Sequence, residues 1–277
     1  FDYPANTPLN NQSGGGGWNG VWNVQVNDET LPGYQTNAGP GSLTYGALLG
    51  QGRYATGGQA YLTAGRRLST SDSGPFAAYV QTGQNGIGTA ANGDTLWASV
   101  LLQKLQNNND EVWFDLHNDG SIPWCTGCAQ QHIAVGYFGS AYSNVGGQRR
   151  WTLRLNNNYY PTDVPIVPGT TAFAVLRIIF NPGNTAVALY LNPAGLGNDV
   201  PLSPSLAQNT GAENAIRSAG VYLGNTPGNG AVDEIRLAER YACAAPDNTI
   251  PLNLPPVAAI TLTPASGSAP LQVLLDG

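Results

Sequence analysis

The stretch AFAVLRIIFNPGNTAVALYLN, residues 172–192, contains two apolar runs separated by Asn-Pro-Gly-Asn. Both runs are rich in β-branched and aromatic residues, which favour strands. Pro followed by Gly is typical of a tight turn. The stretch therefore predicts a β-hairpin with its four-residue turn at residues 181–184. Its first run is nine residues long and contains Arg177. It is too short for a membrane span, so we interpret it as a buried strand.

Similar short apolar runs occur along most of the chain, and helical periodicity is nearly absent. Turn-forming stretches such as NGDT, HNDGS and TPGNG separate these runs. Close spacing of strands without helical crossovers indicates antiparallel sheets. We therefore predict an all-β fold, a two-sheet antiparallel jelly-roll sandwich. The further predicted strands are residues 42–50, 95–103, 111–117, 132–138, 150–155, 218–224 and 232–238.

The composition is unusual in its low charge. Charged residues make up 10% of the 277 residues, against about a quarter in ordinary globular domains. The 11 basic and 17 acidic residues give a net charge of −6, and no basic patch is visible that would neutralise a phosphate backbone. Nucleic acid is therefore excluded as an expected partner, and no apolar run is long enough to predict a membrane span. A surface rich in Asn, Gly, Thr and Ser suits a secreted protein that meets neutral polymers such as glycans.

The composition changes after Cys243. Residues 244–256 (AAPDNTIPLNLPP) read as a Pro-rich extended linker, and residues 257–277 as two strands on either side of PASGSAP. We predict a first domain over residues 1–243, a linker over 244–256 and a partial immunoglobulin-like segment over 257–277. The chain starts at Phe1 and contains no Met. We interpret this start as a mature end left by leader removal, or as the boundary of a fragment.

Four stretches occur in an order that resembles a known family. They are FDYPANTPLNNQSGGGGWNGVWNV (1–24), TLWASVLLQ (95–103), VLRIIFNPGNTAVALYLNP (175–193) and VDEIRLAERY (232–241). Together they resemble the concanavalin A-like lectin/glucanase (laminin-G-like) domains of secreted bacterial surface proteins, over about residues 1–243. The tail PPVAAITLTPASGSAPLQVLLDG resembles the start of a PKD-type module. The family resemblance implies a jelly roll, often with calcium near one edge and a glycan surface on the concave sheet. It does not imply one activity, since members include lectins, adhesins, hydrolases and spacers.

The segment PWCTGCAQQHIAVGYF, residues 123–138, contains two of the three cysteines and one of the two histidines. A zinc site needs four ligands, and Cys125, Cys128 and His132 supply only three. We favour a Cys125–Cys128 disulfide in an oxidising compartment, with a metal site or pairing to Cys243 as alternatives. Trp124 is an additional candidate for contact with a ligand.

The stretch EVWFDLHNDG, residues 111–120, carries the main ligand-binding candidates. Strand alternation places Val112, Phe114 and Leu116 on one face and Glu111, Trp113, Asp115 and His117 on the other. An exposed Trp113 with Asp115 and His117 beside it would form a sugar platform, because the ring packs on a pyranose and the polar groups bind hydroxyls. The alternative is an ordinary solvated face.

The same region offers weak candidates for calcium and for catalysis. Asp115, Asn118 and Asp119 crowd one turn, and their oxygens are of the type that calcium prefers. Glu111 and Asp115 are four residues apart on a strand, about 13 Å, beyond the separation of glycosidase carboxylates. The E-x-D-x-E pattern of glucanases with this fold does not occur. We therefore predict no catalytic residues.

A glycine run and a pair of adjacent acids have structural interpretations. The glycine run SGGGGWNG, residues 13–20, lacks the Lys and Ser or Thr of a phosphate-binding loop, and we place Trp18 and Trp22 in the core. Asp233 and Glu234 are adjacent on a strand and should point to opposite faces, one of them turning inward to pair with an arginine.

These observations favour a secreted, non-catalytic module for carbohydrate binding or adhesion. The second hypothesis is a structural subunit of an extracellular fibre or sheath, in which the β tail over residues 257–277 pairs with neighbouring copies. A polysaccharide hydrolase ranks third, because the sequence shows no suitable carboxylate pair on one strand.

Overall fold

The computed structural model describes residues 3–25, 34–39, 41–48, 50, 52–57, 63–71, 73–118, 131–197, 203–223, 229–248, 261–263 and 274–276. The strands in this part are β1 (Trp18–Gln25), β2 (Gln35–Thr36), β3 (Ala55–Thr56), β4 (Thr63–Leu68), β5 (Thr95–Lys104), β6 (Val112–His117), β7 (His132–Tyr137), β8 (Asn144–Val145), β9 (Gln148–Leu155), β10 (Asn158–Pro165), β11 (Thr171–Asn181), β12 (Asn184–Leu191), β13 (Leu206–Asn209), β14 (Ser218–Tyr222), β15 (Gly230–Ala238), β16 (Thr261–Thr263) and β17 (Leu274–Asp276). The helices described are a 3-10 turn (Ala77–Tyr79), α1 (Ser140–Ser143) and α2 (Tyr241–Ala244).

Two antiparallel sheets form a jelly-roll sandwich, which confirms the predicted fold class. The described part of sheet 1 has eight strands in the order β1-β4-β14-β6-β7-β9-β10, with β8 paired to β9. The described part of sheet 2 has seven strands in the order β13-β12-β11-β5-β15-β3-β2. Most neighbours in these orders are distant in sequence, so the two sheets depend on long-range pairing.

The predicted hairpin is confirmed. Strands β11 and β12 pair from Ala174 opposite Leu191 to Asn181 opposite Asn184. Gly183 in the turn has a φ of 69°, a left-handed conformation that glycine adopts without steric cost. Pro182 before it fixes the φ of its own position, so the turn residues set the register of the hairpin.

The strand predicted over residues 42–50 is wrong. The described residues there form no strand and instead contain an isolated bridge between Tyr45 and Leu48. Gly46, between them, has a φ of 54°. Leu43 and Leu48 are nevertheless buried, because this segment packs on the outer face of sheet 2 with Trp97 and Phe173.

Among the described residues, buried apolar side chains form three clusters. The largest lies between the sheets and includes Phe114, Trp151, Phe180 and Val221. A second covers the outer face of sheet 2, where α2 contributes Tyr241 and Ala244. A third lies on the outer face of sheet 1 and consists of Trp113, Ala134, Phe138 and Tyr222, with Tyr159 packed against them. The apolar packing therefore extends beyond the space between the sheets to both outer faces.

The chain divides into two compact units, residues 1–247 and 248–277. The first contains both large sheets. The described part of the second contains β16 and β17, which pair antiparallel from Thr261 opposite Asp276 to Thr263 opposite Leu274. The domain and linker bounds drawn at residues 243 and 256 remain predictions. No helix among the described residues is long and apolar enough to cross a membrane.

Candidate functional site

Strand β6 presents two faces, as its alternation predicts. Phe114 and Leu116 join the cluster between the sheets, whereas Trp113 belongs to the cluster on the outer face of sheet 1. The outer face is nevertheless not solvated at this strand. Trp113 is 5% exposed, and Asp115 and His117 are 0% exposed.

The expectation that Trp113 is an exposed platform is therefore wrong. Its ring stacks on Tyr222 at 5.2 Å between centroids with an interplanar angle of 2°, and on Phe138 at 5.7 Å. The Trp113 Nε1–H donates to Glu111 Oε2 at 3.2 Å. Rings cover the indole because neighbouring strands bring Tyr222 and Phe138 to the same face, which alternation within β6 alone cannot show. This packing leaves no ring face of Trp113 for a sugar.

Asp115 and His132 form a buried pair across β6 and β7, with 2.6 Å between Asp115 Oδ2 and His132 Nδ1. Burial by itself would raise the pKa of Asp115. The charge and hydrogen bond of His132 outweigh that effect and lower this pKa, with help from the charges of His117 and Arg154. The pair joins two adjacent strands of sheet 1, and both of its side chains are buried.

Glu111 and His117 occupy the two ends of the same face. Burial raises the pKa of Glu111, although its hydrogen bond from Trp113 acts in the opposite direction. His117 lies directly opposite His132 in the register of β6 and β7, with 6.4 Å between ring centroids. The structure thus brings His117, Asp115 and His132 together on the outer face of sheet 1, where all three are buried.

The calcium and cysteine predictions fall partly outside the described residues. Asp119, Trp124, Cys125 and Cys128 lie there, so their roles remain predictions. Asn118, the other turn candidate, accepts the Gln131 N–H at 3.1 Å through Oδ1. Across the described ranges, no group of three or more His, Cys, Asp or Glu side chains could hold a metal.

Cys243 lies in α2 and is an exposed, free cysteine. Cys125 and Cys128 lie outside the described residues, so the alternative in which one of them pairs with Cys243 stays a prediction. Its place at the end of the first unit keeps its thiol at the surface.

A cavity that the sequence did not reveal lies at the edge of the sandwich where β1 and β4 pair. We call it the Trp18 cavity. Its volume is about 640 Å³. It is lined by Tyr3, Ser13, Gly14, Gly15, Trp18, Trp22, Arg66, Glu234, Ile235 and Arg236. This volume falls within the range of small-ligand sites.

Local geometry builds the mouth of the Trp18 cavity. Gly14 and Gly15 have φ values of 122° and 72°. Residues with a side chain rarely adopt such positive φ values, so glycine is favoured at both positions. A Cβ on Gly15 would stand 3.3 Å from Trp18 Nε1, so glycine allows the backbone to pass close to the indole. Opposite this loop, the β5–β15 register shifts between Asp233 and Arg236, and Glu234 has a φ of 51°. This bulge directs Glu234 and Arg236 to the cavity.

The Trp18 cavity combines an aromatic ring with fixed charges. The Arg66 guanidinium stands 5.2 Å from the Trp18 ring centroid and is held by Gly14 O at 2.7 Å and Gly20 O at 2.9 Å. Glu234 Oε2 pairs with Arg236 Nη2 at 2.5 Å. The fully buried acid of the two is Asp233, which accepts hydrogen bonds from Ser42 Oγ and the Leu43 N–H, so the inward carboxylate and the arginine-paired carboxylate are different residues. Trp18 is only half-buried, and the loop residues Gly14 and Gly15 are exposed. The site is therefore an open, polar cavity with one aromatic wall.

Trp22 is buried in the core as predicted, although its side chain also borders the cavity. Trp18 packs against the same core but is only half-buried, so it forms the accessible aromatic wall. Sequence reasoning missed this site because Arg66, Glu234 and the glycine loop are far apart along the chain. The one local signal was the glycine run directly before a tryptophan.

A second exposed aromatic feature lies at the margin of the outer face of sheet 1. Tyr142 is 50% exposed and stacks on Tyr159, with 4.2 Å between centroids. The Arg154 guanidinium lies 5.4 Å from the Tyr159 centroid. This pair is open to solvent but lies on no cavity described above.

Comparison with known proteins gives structural similarity only. No protein-family model matches the chain, and no curated protein matches it. Among solved structures, lectin II from Ulex europaeus aligns at a TM-score of 0.38 and 13% identity, over 67% of this chain and 86% of the lectin. Peanut lectin in complex with a 9mer peptide aligns at a TM-score of 0.36 and 10% identity, over 79% of this chain and 98% of that chain.

A Trypanosoma rangeli sialidase aligns at a TM-score of 0.35 and 16% identity, over 87% of this chain. This chain spans 31% of the sialidase's length. At such identities and TM-scores, no ligand or activity can be transferred from these proteins to this chain.

Proposed function

We propose that this chain is a secreted, non-catalytic module that binds carbohydrate in the Trp18 cavity. The observation that supports it is the convergence of an accessible tryptophan with Arg66, Glu234 and Arg236 in one open cavity. The indole supplies an apolar face for a pyranose ring. The guanidinium groups donate hydrogen bonds to sugar hydroxyls and the carboxylate accepts them. A few such polar groups around an apolar surface are what orient a ligand in a binding pocket.

The non-catalytic part of the proposal rests on the carboxylates of Glu111, which precedes β6, of Asp115 in β6 and of Glu234 in the cavity. Glu111 accepts a hydrogen bond from Trp113, and Asp115 is buried against His132. In the Trp18 cavity, Glu234 is paired with Arg236. Secretion is proposed from the low charge and the polar, uncharged composition.

The test is calorimetric titration of the full chain with soluble neutral polysaccharides chosen from a glycan array. Trp18→Ala should weaken binding by at least about 10-fold, because the stacking surface is lost. Arg236→Gln, which removes one hydroxyl partner and keeps the ring, should weaken it less. Release of new reducing ends during incubation would overturn the non-catalytic assignment.

Tyr142→Ala is the matched control, since it removes the exposed ring outside the Trp18 cavity. It should bind as the unmodified chain does, and melting curves should show that each variant folds. Loss of binding in Tyr142→Ala together with full binding in Trp18→Ala would refute the Trp18 cavity as the site.

A second candidate function is that of a fibre or sheath subunit. Its support is the two-stranded β16–β17 sheet, because a strand pair has edges on which another chain can add strands. Leu262→Pro should block such pairing. We expect multimers in light scattering of the full chain and their loss in this variant. A chain that stays monomeric at all concentrations would refute this candidate.

A further inference from the structure

A second cavity lies at the same edge of the sandwich, on the other face of strand β4. We call it the Arg67 cavity. Its volume is about 680 Å³. Its walls are segments 69–71 and 83–85, and its remaining lining comes from Asn19, Arg67, Leu68 and Arg217. Arg66 and Arg67 are adjacent on β4, so their side chains point to opposite faces and serve different cavities.

Two guanidinium groups dominate the charge of the Arg67 cavity. Arg67 and Arg217 are both exposed. Arg217 is anchored by its Nε–H, which donates to Asn85 O at 2.8 Å. In the part of the chain that the structure describes, neither arginine has a carboxylate partner, and the Arg67 guanidinium makes no hydrogen bond.

The described residues that line this cavity include no Asp or Glu. Asp72, which follows Ser71 in the sequence, lies outside the described residues. One carboxylate there would still leave the cavity with a net positive charge. This is notable in a chain whose net charge is −6, because it concentrates two of its 11 basic residues at one cavity.

The rest of the lining is polar and neutral. Ser69, Ser71, Asn19 and Gln84 can donate to or accept from hydroxyl groups. Thr70 has an internal role, since its hydroxyl hydrogen-bonds to the Asn85 side chain and connects the two wall segments. Leu68 is the one apolar residue with a large side chain in the described lining. A ligand that fits these walls is polar, larger than a bare ion and negatively charged.

We propose that the Arg67 cavity binds a carboxylated sugar, such as a uronate unit of an acidic polysaccharide. The guanidinium is planar and donates two parallel hydrogen bonds to a carboxylate, a match that a lysine cannot provide. The neutral amide and hydroxyl groups bind the ring hydroxyls. This site is separate from the Trp18 cavity and does not depend on the function proposed for it.

The experiment is calorimetric titration of the full chain with tetragalacturonate, and with cellotetraose as a neutral tetrasaccharide. Binding of tetragalacturonate should exceed binding of cellotetraose at this site. Arg67→Gln and Arg217→Gln should each weaken tetragalacturonate binding by about 10-fold or more, because hydrogen bonds to a charged group are lost. Arg67→Lys should give a smaller but clear loss, since it keeps the charge without the planar donor pair.

Arg177→Gln is the matched control. Arg177 is exposed on β11 of sheet 2, so this variant has the same net charge as Arg67→Gln but leaves the Arg67 cavity intact. It should bind tetragalacturonate as the unmodified chain does. Equal loss in Arg177→Gln would show general charge attraction and overturn the proposal, as would full binding in Arg67→Gln and Arg217→Gln.

Two further titrations test whether the ligand group is a carboxylate and whether it binds in the Arg67 cavity rather than in the Trp18 cavity. Tighter binding of a sulfated tetrasaccharide than of tetragalacturonate would overturn the carboxylate assignment. Trp18→Ala should retain tetragalacturonate binding, because Trp18 lines the other cavity. Failure of the Trp18 proposal would therefore leave this result unchanged, and loss of tetragalacturonate binding in Trp18→Ala would contradict a separate site.

Discussion

Lys104 is the single lysine of the chain and is 0% exposed. Its Nζ donates to Asn108 Oδ1 at 2.8 Å and to Asp110 O at 2.6 Å, and lies 5.0 Å from the Tyr137 ring centroid. Burial lowers its pKa from 10.5 to about 8, although the charge of Asp110 acts in the opposite direction. Through linkage, this lowering of the pKa changes the free energy of unfolding by about 3 kcal/mol between low pH, where Lys104 is charged, and high pH, where it is neutral.

The sign of the stability change follows from the proton count. Between pH 8 and 10.5 the folded chain binds fewer protons at Lys104 than the unfolded chain, so the free energy of unfolding rises with pH in that window. Below pH 8 both states are protonated and the full cost of burying the charge is present. Burial raises the pKa of Tyr79 and of Tyr241 to about 12, which gives an opposite slope above about pH 10. The stability change due to Lys104 is therefore measured between about pH 7.5 and 9.5, below the range in which the tyrosines contribute.

The assay is NMR of the chain labelled with ¹⁵N and ¹³C at lysine, which gives one side-chain signal to titrate. We expect a midpoint near pH 8, and urea unfolding should show stability rising over the same interval. Lys104→Met should lack that rise, because it has no group to titrate at this position. A midpoint at pH 10 or above, or an equal rise in Lys104→Met, would refute the reasoning.

Two predictions concern the face of sheet 1 that the sequence assigned to ligand binding. Trp113→Ala should destabilise the fold by about 3–5 kcal/mol, since it removes a buried ring stacked on Tyr222 and Phe138. Its glycan binding, measured under conditions in which it is folded, should match that of the unmodified chain. Asp115→Asn should lower stability at pH 7 by about 1.5–3 kcal/mol, because the charged hydrogen bond to His132 is lost. The folded pKa of Asp115 is lowered, so its contribution is present above the unfolded pKa of about 3.9 and is lost as pH falls through the folded value. Urea titrations at pH 7 and pH 3 give the free energy of unfolding of each variant. If Asp115→Asn is destabilised relative to the unmodified chain by the same amount at both pH values, the role of the Asp115 charge is contradicted.

Some strands were invisible in the sequence for identifiable reasons. Strand β10 contains Pro161 and Pro165, which argue against a central strand, and it lies at the end of sheet 1 where proline is tolerated. Strand β1 contains Gly20 with a φ of 88°, and its pairing with β4 shifts register between Asn19 and Asn23. Both strands form because their neighbours supply the pairing, which local propensity does not record.

What the sequence determined by itself is the part controlled by near neighbours. Alternation placed Phe114 and Leu116 on the inner face, and Pro-Gly positioned the β11–β12 turn, because strand period and turn geometry depend on adjacent residues. Only the tertiary structure decided that Trp113 is covered and that Trp18 lines a cavity. Those outcomes depend on which distant strands become neighbours, and pairing of β14 with β6 or proximity of the β15 bulge to β4 leaves no mark in any single stretch of sequence.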